Sequence, residues 1–183
     1  MKPLYRIGKY HNLEKLDKIA KYVQNFAQLQ PIAGSVDSPF NWLSEYDDGI
    51  FFTLSVGWHV DYIDENRKWS TILVIASDKH DLYASTETMD SISASNKTDE
   101  EIDYILDQKT NNKRLTLKTG DILLLDTVRF HKLENHRKSN SPFIFLTLNT
   151  DFFPGAEASV KCVNYLVYDY LRIIKSEEQS YEA

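Results

Sequence analysis

Between residues 50 and 148 the apolar residues gather into short runs broken by turn formers, and this pattern constrains the fold more than any other feature. The runs at 50–56, 69–76, 122–125 and 142–148 are rich in Ile, Val, Leu and Phe and too short for packed helices. Apolar runs of this length bounded by Gly, Pro, Asn, Asp and Ser read as buried strands. Two weaker segments join them. Residues 83–93, rich in Ser and Thr, read as a more exposed strand, and 114–118 turn Leu115 and Leu117 inward. Leu4, Tyr5, Ile7 and Tyr10 suit an edge strand.

Helical periodicity flanks this region. Leu13, Leu16, Ile19, Ala20, Val23, Phe26 and Ala27 share one face, which predicts a supporting helix over 12–30 with Asn12 as N-cap and Pro31 past its end. Residues 31–48 hold two Pro, a Gly and Asp47-Asp48-Gly49, and read as a long loop. Thr98-Asp99-Glu100-Glu101 opens like a capped helix carrying Ile102, Ile105 and Leu106, a helical insertion near 98–108. Val160, Val163, Leu166, Val167, Tyr170, Leu171 and Ile174 predict a last helix over 157–176, followed by a frayed polar end. The order predicts a single domain over 1–183, mainly β with flanking helices, whose β core at 49–150 is a sandwich or barrel.

Charge and cysteine usage exclude several function classes. The chain carries 21 Lys and Arg against 27 Asp and Glu, a net charge of −6, so the basic footprint of a nucleic-acid binder is missing and no such ligand is expected. The single cysteine, Cys162, allows no internal disulfide and no cysteine-based zinc site, and its apolar helical setting predicts an inert, buried thiol. No signal-peptide pattern and no membrane-length apolar run is present, so a cytoplasmic protein with no membrane partner is expected.

The residues that carry chemistry sit at strand ends. Gly57-Trp58-His59-Val60-Asp61 closes the first apolar run, and side chains two apart in a strand share a face, so His59 and Asp61 emerge together. A second imidazole would complete a metal site, and the best candidate is His131, after the apolar run at 122–125. Two imidazoles and one carboxylate on one side of a divalent ion leave the opposite positions open, the facial arrangement of non-haem iron sites. Without a metal, His59 would be a strand-end residue bonded to Asp61, and His131 a surface residue at a turn. His11, His80 and His136 read as solvated loop residues. Trp58, Tyr62, Trp69 and Phe130 are candidates to line a cavity beside the metal, against ordinary core packing. The patterns of serine hydrolases, phosphate loops, dinucleotide folds and zinc proteases are absent.

This arrangement resembles the double-stranded β-helix folds (jelly-roll, cupin-like), and within them the iron(II), 2-oxoglutarate-dependent oxygenases. The stretch from Gly120 through Asp126 and His131 to Asn135 is similar to the distal-histidine region of prolyl and aspartyl/asparaginyl hydroxylase-like members. The resemblance covers 49–150. It implies Fe(II) held by His59, Asp61 and His131, 2-oxoglutarate as cosubstrate, Asn135 as an outer-shell or strand-end group, and a small-molecule or peptide substrate. Such oxygenases carry an Arg or Lys on the strand after the distal histidine to pair with the far carboxylate of 2-oxoglutarate. Here that place reads Asn140-Ser141-Pro142-Phe143, so Arg137, Lys138 and Arg129, or Arg67 and Lys68, would have to serve instead. Two alternatives stand beside this reading: a cupin-type isomerase or epimerase using the same ligands without a 2-oxo acid, and a non-catalytic β-sandwich binding module. The ligand set also suits Mn, Ni or Zn.

Overall fold

The computed structural model describes residues 2–27, 47–61, 63, 69–136, 141–149 and 156–182. Among them nine strands form two antiparallel sheets, covered by three α-helices. In chain order these are β1 (Leu4–Lys9), α1 (Leu13–Ala27), β2 (Asp47–Thr53), β3 (Val56–His59), β4 (Trp69–Ala76) and β5 (His80–Thr88), then α2 (Asp99–Asp107), β6 (Lys113–Thr116), β7 (Asp121–Asp126), β8 (Arg129–Asn135), β9 (Phe143–Asn149) and α3 (Ala156–Glu182). One sheet has the order β1-β7-β4-β9-β2 and the other β3-β8-β5-β6. The pairings are nested: β2 with β9, β3 with β8, β4 with β7 and β5 with β6.

The five-stranded sheet is buried on both faces, which explains why its strands read as continuous apolar runs. Ile72 and Val74 of β4 pack inward with Leu82, Ala84 and Leu133 of the opposite sheet. Their neighbours Leu73 and Ile75 point outward to Leu16, Ile19 and Val23 of α1 and to Val163, Leu166 and Tyr170 of α3. A period of two survives in space but vanishes from the hydropathy, because both faces need apolar side chains. The third helix, α2, lies on the outside of the smaller sheet. Its Ile102 and Leu106 bury against Phe130 of β8, with Trp58 of β3 packed beside them.

Four local expectations change. The run at 50–57 is two strands in different sheets: the chain leaves β2 after Thr53, passes Leu54 and Ser55, and enters β3. The Thr53 hydroxyl donates to the Ser55 carbonyl at 3.1 Å and fixes that corner. Residues 129–135, with no long apolar run, form β8 at the heart of the smaller sheet. β5 begins at His80, earlier than the Ser/Thr-rich stretch implied. The last helix continues to Glu182, through the stretch expected to fray. Most of the loop at 31–48, Tyr62, Arg67 and Lys68, and the Cys162 side chain lie outside the described residues. No helix among the described residues is long and apolar enough to cross a membrane.

Candidate metal centre

His59 and His131 face each other across the β3–β8 pair, where they are register partners, with ring centroids 4.3 Å apart. Asp61 follows two residues after His59. Its amide donates to the Thr127 carbonyl at 3.0 Å, which pins the chain to the tight β7–β8 turn. That turn is itself clamped: the Asp126 carboxylate accepts from the Val128 amide at 3.3 Å and from Arg129 Nε at 2.9 Å, and Arg129 also donates to the Thr86 carbonyl. On the far side of β3 the Trp58 indole donates to Asp107 of α2 at 2.8 Å. Strand alternation then turns His59, the next residue, inward.

The donor atoms converge. His59 Nε2 lies 3.3 Å and His131 Nε2 3.4 Å from the same carboxylate oxygen of Asp61, and all three ligand atoms fall within 4.8 Å of one another. Two donors each about 2.1 Å from a shared ion, at right-angled to tetrahedral geometry, lie about 3.0–3.4 Å apart. Both Nδ1 atoms are held by main-chain carbonyls two residues back, Gly57 for His59 at 2.8 Å and Arg129 for His131 at 2.9 Å. A carbonyl only accepts, so Nδ1 carries a hydrogen, and Nε2 faces Asp61 with its lone pair in the neutral ring or with a proton in the imidazolium. Two imidazole lone pairs and a carboxylate pointed at one another repel unless a proton or a cation lies between them.

The electrostatics agree with that picture. Burial disfavours the His59 imidazolium, yet hydrogen bonding to Asp61 and to the Gly57 carbonyl outweighs it and raises the His59 pKa. Burial likewise pushes Asp61 up, but hydrogen bonds from His131 and His59 win and hold its carboxyl well below the usual range. The centre sits at a rim: the His59 and Asp61 side chains are 37% and 39% exposed, while His131 is 6% exposed.

Behind the rim a cavity of about 490 Å³ runs between the two sheets. Phe51, Ile72, Leu82, Leu133, Phe143 and Phe145 are among its apolar wall residues, and His59, Asp61 and His131 line it too. Of the expected lining residues, Trp58 and Phe130 instead pack beneath α2, and Trp69 lies near Tyr5 at 6.2 Å between ring centroids. Phe143 and Phe145, which do line it, follow from the parity of β9: the residues alternate with Ile144 and Leu146, which face the helices.

The remaining candidates fall elsewhere. Arg129 is engaged with Asp126 and Thr86 and does not line the cavity, and Arg137 and Lys138 lie outside the described residues. Asn135 ends β8, four residues or about 13 Å of strand beyond His131, so it is a strand-end group. His80, expected in solvent, is fully buried: its Nδ1 accepts from the Asp78 amide at 3.2 Å, and burial lowers its pKa. His136 pairs with the buried Asp81 at 2.6 Å. No protein-family model and no curated relative matches this chain.

Proposed function

We propose that the protein is a metal-dependent enzyme of the non-haem iron(II) oxygenase class, built on a double-stranded β-helix, with His59, Asp61 and His131 as the metal ligands. The observation that carries it is the convergence of two Nε2 atoms on one Asp61 oxygen at 3.3 and 3.4 Å, with both rings oriented from behind by carbonyls. The fold supports the reading through its nested pairing, in which β2 to β9 close on one another as a hairpin wound into two sheets. The ligands come from the second and seventh strands of that hairpin, which are register neighbours. Bound there, Fe(II) would supply redox chemistry and open coordination positions; the chain's own part is to orient the ligands and keep the cavity dry.

The cosubstrate fits less well. 2-Oxoglutarate needs a cation for its far carboxylate, and the cavity wall among the described residues holds neither Lys nor Arg. The same observation favours a second reading, a cupin-type metalloenzyme that works without a 2-oxo acid. The deciding experiment is anaerobic titration of metal-free protein with Fe(II), then with 2-oxoglutarate, followed in the visible range. A weak charge-transfer band that disappears in His131→Ala supports the 2-oxoglutarate oxygenase. Iron binding without a band supports the cupin-type enzyme, and no binding of any divalent metal leaves a non-catalytic module.

A further inference from the structure

Resting on the metal reading above, the geometry points to the ligand of the inter-sheet cavity: we infer that it takes a neutral, apolar small molecule, a hydrocarbon or aromatic group, and presents it to the His59–Asp61–His131 centre in place of a dicarboxylic 2-oxo acid. Three observations carry this. First, the wall is aromatic where an anion's partner would be needed. Phe51 stacks on Phe145 at 5.5 Å and Phe145 on Phe143 at 5.0 Å, so the inward positions of β9 form one continuous apolar surface with β2.

Second, the polar groups in the wall are poor hosts for an anion. A carboxylate needs donors, but the Ser70 hydroxyl donates to the Leu148 carbonyl and the Thr53 hydroxyl to the Ser55 carbonyl, each at 3.1 Å. Among the described wall residues away from the centre that leaves the Thr147 hydroxyl as a side-chain donor, one neutral group for the carboxylate that a metal would not take. Desolvating an ionised carboxylate in such a wall costs far more than one neutral hydrogen bond returns. Third, the volume of about 490 Å³ lies in the range of small-molecule sites and adjoins the centre directly, since His59, Asp61 and His131 are part of the same wall. A neutral apolar ligand gains by burial there at about 25 cal/mol for each Å² of apolar surface removed from water.

The test uses toluene as probe and Mn(II), which broadens nearby proton signals, as the metal. Binding of Mn(II) is read separately from the loss of its free-ion electron paramagnetic resonance signal. In wild-type protein loaded with Mn(II), the ring protons of toluene should relax several-fold faster than with Zn(II). The enhancement should vanish in Thr147→Trp and in Leu82→Trp, which fill the cavity from opposite sheets, and should persist when 2-oxoglutarate is added. Mn(II) binding without toluene enhancement in the wild type overturns the inference and leaves the metal reading intact, whether or not the two variants fold. Displacement of toluene by 2-oxoglutarate also overturns it. An undiminished free Mn(II) signal brings down the metal reading itself, and the inference with it.

Discussion

At the scale of single residues, the two kinds of position that matter here leave very different traces. In the proposed site His59, Asp61 and His131 are each a ligand, so His59→Ala or His131→Ala should weaken divalent-metal affinity by roughly 100-fold or more, since even outer-shell changes typically cost 10–100-fold. Equilibrium dialysis against Zn(II) measures this, and affinity within a factor of two of wild type would count against the site. Gly120 is a purely structural counterpart. It has φ +92°, and a Cβ there would lie 2.5 Å from the Tyr10 carbonyl oxygen. Gly120→Ala should therefore destabilise the fold by ~1–3 kcal/mol in a denaturant titration, and an unchanged midpoint would contradict the strain. That these three residues meet was legible from placement, a His-x-Asp pair closing one apolar strand and a second histidine following another, and the structure brings them together. His80 was not legible: its neighbours Lys79 and Asp81 look like a solvated turn, and only the fold shows it buried against Phe143 at 5.3 Å.

At the scale of elements, the short helix α2 and the edge of the smaller sheet hold the site from outside. Thr98 caps α2 by accepting from the Glu101 amide, while the Glu101 carboxylate accepts from the Thr98 amide. Thr98→Ala should lower stability by ~1 kcal/mol in thermal or chemical unfolding. Metal affinity should stay at the wild-type level, because Thr98 touches neither β3 nor the turn at Thr127. Asp81 ties β5 to β6 and β8. Burial pushes its carboxyl up, but hydrogen bonds from Thr116 and Arg114 and the charges of Arg114 and His136 outweigh this and lower its pKa. A carboxylate lowered in the folded state contributes stability above its unfolded value near 3.9, and loses it as pH falls through the folded value. Stability should thus drop as the medium is acidified below about pH 4, and Asp81→Asn should be less stable at neutral pH with a flatter acid limb. An identical acid limb in the variant would assign the slope to other carboxylates. Strands β2 and β3 were merged in the sequence because no Gly or Pro marks the corner at Leu54-Ser55. β8 was missed for the opposite reason: Phe130, Lys132 and Glu134 face α2 and solvent while His131 and Leu133 face in, so the strand shows no apolar run.

At the scale of the whole molecule, the sandwich does two separate jobs. Its five-stranded sheet is a scaffold buried on both faces, and its four-stranded sheet carries two of the three proposed ligands at the register pair of β3 and β8. The class of fold was legible from run length and turn spacing. Beyond the expected meeting of His59 with His131, the pairing of early strands with late ones was not, because pairs such as β2 with β9 and β4 with β7 depend on chain closure and leave no mark in local periodicity. The central claim is that this closure builds one divalent-metal site, and isothermal titration of metal-free protein with Co(II) tests it most directly. One ion per chain is expected in the wild type, with loss of that binding in both Asp61→Ala and His131→Ala variants that still fold. Binding that survives unchanged in both variants, or a wild-type protein that takes up no ion, would contradict it.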